Sequence, residues 1–193
     1  MEGQAATALE HRMVNGVDVD RLLDTIEAIK STPDIAKFNF RIHNRWIVGG
    51  HNRTTITDFY GAKEMHRHDK PFELEQDEPH ILLGEDLAPN PVEYLLTALA
   101  GCLTSSLVYH AAAKGISIRG VESRLEGDLD LRGFLGLDPE VKVEYDCIRV
   151  YFKIDADISE QEKEDLIRMA QKYSPVFNSV SKPVPVTVGL EAA

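Results

Sequence analysis

One stretch limits the folds open to this chain more than any other. From Asn90 to Gly115 nearly every residue is apolar or small, and both ends carry helix punctuation. Asn90 is a good N-cap, Pro91 suits the first helical position, and Glu93, three residues on, completes a capping-box pattern. Lys114 puts a cation in the last turn, and Gly115 offers the left-handed stop. The longest apolar run, Tyr94 to Tyr109, holds several Ser and Thr and falls short of the roughly 18 residues of a membrane span. The expectation is a helix buried on most of its surface. It carries one of the two cysteines, Cys102.

The flanking segments give that helix something to pack against. Val19, Leu22, Leu23, Ile26 and Ile29 recur at helical spacing and stop at Ser31-Thr32-Pro33, after a tail, residues 1–17, with no packing pattern. Phe38 to Ile56 is rich in β-branched and aromatic residues around Gly49-Gly50, and Phe72 to Glu75 is strand-like, which reads as an antiparallel meander. Val121 to Leu131 alternates charged and apolar residues. The stretch from Val143 to Ala156 alternates too, with Ile148, Val150, Phe152 and Ile154 inward and Tyr145, Cys147, Arg149, Tyr151 and Lys153 outward. Residues 132–139 form an apolar loop that should pack on something, a partner subunit being one candidate. Ser159-Glu160-Gln161-Glu162 opens a further helix, Pro175 ends or restarts it, and Lys182 to Leu190 reads as an edge strand. Helix, strands, long helix, strands, helix, strand is an α+β order with antiparallel sheet.

Charge and cysteine usage exclude several classes. A formal charge of −11 with no basic stripe argues against nucleic acid and anionic membrane surfaces as partners. Two cysteines do not make a disulfide scaffold, and no basic region followed by an apolar core marks a leader, so a reducing cytoplasm is expected.

A lone helical cysteine in apolar surroundings is ordinarily inert, because burial disfavours the thiolate that would react. Cys102 lies three turns into its helix, too far for that helix's own dipole. An activating cation must come from elsewhere, and Arg41, Arg45 and Arg53 lie in the N-terminal strands. His66-Arg67-His68 has the residues of a metal site without a ligand set that the sequence establishes, so no metal and no cofactor are expected. Ser105 and Ser106 lack a nucleophile-elbow context and read as helix packing.

Asn90-Pro91 with a cysteine eleven residues after the proline, Gly115-Ile116 before a charged alternating strand, Ser174-Pro175-Val176 after a helix, and a terminal Pro-Val strand together resemble the OsmC/Ohr family of osmotically inducible and organic-hydroperoxide-resistance proteins. The resemblance covers Phe38 to Leu190 and leaves residues 1–37 as an extension with one helix. It implies antiparallel sheets packed on a long central buried helix, an intertwined homodimer, and active sites at the subunit interface.

In that family the helix cysteine attacks the peroxide, an arginine from the N-terminal strands polarises it, a glutamate near the helix start orients the arginine, and a second cysteine resolves the product. Cys102 matches the attacking cysteine. Gly49-Gly50-His51-Asn52-Arg53-Thr54-Thr55 resembles the segment that supplies the arginine, which points to Arg53, with His51 as a polar neighbour. Val92 stands where the glutamate is usual; Glu93 follows it, turned about 100° around the helix. Ser174 stands where the second cysteine is usual, and Cys147 faces outward from a strand. The resemblance therefore implies a one-cysteine peroxidase needing an external thiol, with Leu95, Leu99 and Leu103 walling the alkyl group of a hydroperoxide. The other reading is a dimeric small-molecule binding protein that has lost turnover and keeps an apolar interface pocket.

Overall fold

The computed structural model describes residues 11–191. The chain divides into two compact units, residues 1–95 and 96–193.

Part of the expected tail lies outside the described residues, and part is structured. Met13–Val14 (β1) and Val17–Asp18 (β2) form a small antiparallel hairpin. Its turn, Asn15-Gly16, has both residues at positive φ, 54° and 76°, the geometry that Asn-Gly favours in two-residue hairpins. Asp18 then caps α1 (Val19–Ser31), accepting the Arg21 N–H at 3.0 Å.

The sheet of the first unit is built on one central strand. After β3 (Asn39–Phe40), strand β4 (His43–Val48) turns through Gly49-Gly50 into β5 (His51–Gly61), and β5 turns at Ala62-Lys63 into β6 (Glu64–Gln76). All pairings are antiparallel, and β5 pairs with β3, β4 and β6. The β5–β6 register breaks once. Thr57 alone separates the paired residues Ile56 and Asp58, while residues 68–71 separate their partners Phe72 and Arg67. Pro71, which has no N–H for the ladder, sits in that bulge.

The segment from β6 to the long helix winds around one buried carboxylate. Asp77, 1% exposed, accepts backbone N–H bonds from Glu78, Glu85 and Leu87. Burial pushes its carboxyl up, but those bonds to the anion outweigh it and hold Asp77 below the usual range. Gly84 passes so close that an added Cβ would lie 1.8 Å from the Glu78 carbonyl oxygen.

Helix α2 (Pro91–Ala113) starts and stops where its signals put it. Glu93 accepts the Asn90 N–H and Asn90 Oδ1 accepts the Glu93 N–H, both at 2.9 Å, a reciprocal capping box. At the far end Gly115 has φ 72°, with Ile116 N–H bonded to Ala111 O and Gly115 N–H to Ala112 O, a Schellman stop. Burial differs from expectation. Only Leu99, Leu103, Leu107, Ala111 and Ala112 are buried, while Leu95, Ala98, Gly101, Ser105 and Tyr109 are exposed. The apolar composition therefore exceeds what this chain itself covers. Among the described residues α2 is the one helix long and apolar enough to cross a membrane.

The second unit pairs β7 (Ile118–Asp128) with β8 (Cys147–Ala156), antiparallel, with the short α3 (Leu131–Phe134) between them, followed by α4 (Glu160–Tyr173) and α5 (Pro175–Ser181). Its core joins the α2 stripe to Ile154 and Ala156 of β8 and Leu166 and Ala170 of α4, with Val121, Leu125, Ile148, Val150 and Phe152 packed against it. The expected alternation holds where the strands form, with Ile148, Val150, Phe152 and Ile154 inward on β8, but residues 129–131 and 143–146 lie outside both strands, and Tyr145, expected outward, is half-buried. Each buried leucine contributes roughly 2 kcal/mol of transfer free energy. Ser159 and Glu162 form the expected capping box at α4. Leu131 to Leu137 is partly helical and leaves Phe134, Leu135 and Leu137 at 60–70% exposure. One expectation fails. Lys182 to Leu190 has no regular secondary structure and pairs with no strand among the described residues. Two prolines remove donors there, and an alternating segment becomes a strand only where an edge accepts it.

Candidate active site

The polar group of the first unit is set by strand register. Arg45 on β4 lies opposite Arg53 on β5, and Arg53 lies opposite Glu75 on β6, so one row crosses three strands on one face. Arg53 Nε donates to Glu75 Oε1 at 2.5 Å, and His51 Nε2 sits 2.8 Å from Glu75 Oε2, so both carboxylate oxygens are engaged. The Arg53 guanidinium first and His51 second hold the Glu75 carboxyl below its ordinary value, and Glu75 in turn raises Arg53. The Glu75 carbonyl accepts the Tyr94 hydroxyl at 2.8 Å. Beside Arg53 the same face opens into a shallow pocket of about 270 Å³ lined by His43, Arg45, Arg53, Thr55 and Glu73.

Sequence reasoning missed Glu75. A hairpin extended straight from its Ala62-Lys63 turn would not bring residue 75 opposite residue 53; the bulge at residues 68–71 does. The carboxylate on Arg53 is thus supplied by the neighbouring strand, and Glu93 closes the α2 capping box.

The second unit holds the sulfur. Cys102 is half-buried, and the Ser174 hydroxyl donates to its Sγ across 3.0 Å. Ser174 is fully buried and caps α5, its Oγ accepting the Phe177 N–H at 3.1 Å. A buried hydroxyl must place its proton on an acceptor, and here that acceptor is sulfur. Ser105, expected to pack in the helix interior, is exposed, and its Oγ bonds back to the Cys102 carbonyl at 3.2 Å.

The expected alkyl walls are placed differently. Leu99 and Leu103, 3% and 1% exposed, belong to the core of the second unit, because they fall on the stripe facing β8 and α4; Leu95 is 37% exposed. Cys147 is exposed on β8 opposite Asp128. The His66 ring stacks on Phe59 at 5.0 Å, and His68 lies tilted against Phe59 at 5.6 Å and meets Phe72 edge-on at 4.9 Å. His11, Asp18 and Asp20 bring possible ligand atoms within 4.8 Å of one another, on side chains already bonded to the α1 cap and to Arg12.

Antiparallel sheets and one long helix that bears a hydrogen-bonded sulfur define an α+β protein. The chain belongs to the OsmC-like protein family, whose model matches residues 84–189, more than half of it. It is similar to an OsmC-like protein of Mycoplasma pneumoniae (17% identity, 74% of this chain and 87% of that one, TM-score 0.55). An organic hydroperoxide resistance protein of Legionella pneumophila is similar as well (20% identity, 73% and 89%, TM-score 0.53). An OsmC-like protein of unknown function from Vibrio cholerae reaches a TM-score of 0.56 at 12% identity, over 73% and 92%. At these identities the likeness is one of fold. No curated protein matches the chain.

Proposed function

We propose that this protein is a thiol-dependent peroxidase that reduces organic hydroperoxides by a one-cysteine scheme. The observation that carries the reading is the Ser174 hydroxyl, 3.0 Å from the Cys102 sulfur and shut away from water. It can hold the thiolate but cannot form a disulfide with it. The Cys102 thiolate attacks the terminal peroxide oxygen, the O–O bond breaks, and the alcohol leaves with a proton while sulfur becomes a sulfenic acid. One external thiol then displaces water from that sulfenic acid to give a mixed disulfide. A second releases Cys102 and leaves as the oxidised reductant.

Glu75 and His51 fix the plane of Arg53, the arginine that the family resemblance pairs with the attacking cysteine and with charge developing on oxygen. Glu93 acts at one remove, by setting the start of the helix that carries Cys102. The protein works as a homodimer in the cytoplasm. The open face of α2 supports the dimer, since Ala98, Gly101 and Ser105 are small enough for close helix contact and an added Cβ on Gly101 meets nothing within 4 Å. So do the exposed Phe134, Leu137, Val186, Val188 and Leu190.

The test is consumption of cumene hydroperoxide with dithiothreitol, together with dimedone trapping of the sulfenic acid. Wild type should turn over and carry the label on Cys102, and Cys102→Ser should do neither. Equal consumption by both proteins would end the reading. A ligand-binding protein without turnover would then be left, and Ser174 in place of a resolving thiol favours that second reading.

A further inference from the structure

Across β4, β5 and β6 the register lays two rows on one face: Arg45, Arg53, Glu75, and beside it His43, Thr55, Glu73. Both rows run from basic at β4 to acidic at β6, and the pocket lies over them. The two arginines are direct cross-strand neighbours. Like charges so placed repel, and the cost is relieved only where an anion intervenes. Arg53 has its anion in Glu75. The Arg45 side chain makes no ion pair or hydrogen bond among the described residues, although the chain as a whole carries a charge of −11. Its five-donor fork therefore opens on the pocket beside His43 and Thr55, which can also donate. Glu73 closes the opposite side, where a bound anion would be repelled, so the anionic end of a ligand is confined to the β4 side.

We propose that this pocket is a carboxylate-recognising subsite, with Arg45 as its specificity-determining residue and the outer donors of Arg53 as its second arm. The ligand is a small organic acid whose carboxylate lies between the β4 and β5 arginines. Resting on the peroxidase reading, that acid is one of the two reactants, the hydroperoxide or the external thiol. Every lining residue carries a polar or charged group and none has a purely apolar side chain, so the pocket favours the charged end of a molecule over an alkyl chain.

The first arm of the test needs no turnover. Hexanoate is titrated at low ionic strength while the arginine Nε–H resonances are followed by NMR, with hexanol as the neutral control. Saturable shifts with hexanoate alone are expected, weakened roughly three- to tenfold in Arg45→Gln, as for an exposed charge-assisted bond. Arg45→Lys, which keeps the charge and loses the fork, should fall between. No saturable binding, or equal binding by Arg45→Gln, overturns the proposal.

The second arm identifies the source. With dithiothreitol as reductant, the kcat/KM ratio of a carboxylate-bearing hydroperoxide to its methyl ester is compared in wild type and Arg45→Gln. With cumene hydroperoxide as oxidant, the ratio of mercaptoacetate to 2-mercaptoethanol is compared likewise. A drop in the first ratio assigns the carboxylate to the hydroperoxide, and a drop in the second assigns it to the thiol. A drop in neither overturns the proposal. Arginine-dependent hexanoate binding in a protein without any turnover would sink the peroxidase reading and leave the subsite standing.

Discussion

Ser174 and Cys102, 72 positions apart in the chain, meet through one hydrogen bond of 3.0 Å from hydroxyl to sulfur. The same hydroxyl caps α5, so the contact is fixed by the backbone of that helix as well as by the side chain. Ser174→Ala should slow iodoacetamide alkylation of Cys102 near neutral pH and cost about 1 kcal/mol through the lost cap. Ser174→Cys should yield a disulfide between positions 102 and 174 on hydroperoxide treatment, seen by mass spectrometry under non-reducing conditions. Alkylation that is indifferent to Ser174→Ala would remove the hydroxyl's chemical role.

The clamp on Arg53 has a definite pH sign. A carboxyl depressed in the folded state contributes stability above its unfolded value and loses it as pH falls through the folded one. Glu75 is depressed by Arg53 first and His51 second, from an ordinary value of 4.5. The clamp should stay intact through neutral and mildly acidic pH and release only below 4.5. Following the Glu75 carboxyl carbon by NMR gives the midpoint; one at or above 4.5 would contradict the pairing. Glu75→Gln should show the released state at every pH.

Leu103 separates core from pocket. Leu103→Ala should lower stability by about 2–5 kcal/mol in urea unfolding, as for a fully buried leucine. A wall of a substrate pocket would instead raise KM at nearly unchanged stability.

Asp77→Ala should orphan the buried N–H groups of Glu78, Glu85 and Leu87, at a cost of at least about 2 kcal/mol. Hydrogen exchange should show the loss concentrated in residues 77–90, ahead of the rest of the first unit.

The parts of this fold legible in the sequence are those whose signals are local. Asn90, Glu93 and Gly115 bracket α2 because caps act on the nearest turn, and the alternation of Ile148 to Ile154 assigns a face because strand geometry has period two. Asn15-Gly16 held an equally local hairpin signal that the pattern-poor tail obscured. What stayed hidden depends on partners far along the chain. The apolarity of α2 does not say which face the chain itself will cover, so Leu99 and Leu103 could pass for pocket walls. Pro183 to Leu190 alternates like a strand, yet pairing belongs to the edge it meets. Glu75 was out of reach because its position opposite Arg53 depends on how many residues the hairpin drops on one side.

That asymmetric stretch around Pro71 makes the arginine clamp a matter of length more than of residue identity. Removing one residue from 68–71 would slide the end of β6 along its partner and turn its side chains over, presenting Leu74 or Gln76 to Arg53 in place of Glu75. Relatives or engineered variants with a shorter hairpin here would need a carboxylate from some other element, and counting residues between the two strands would reveal it before any coordinates did.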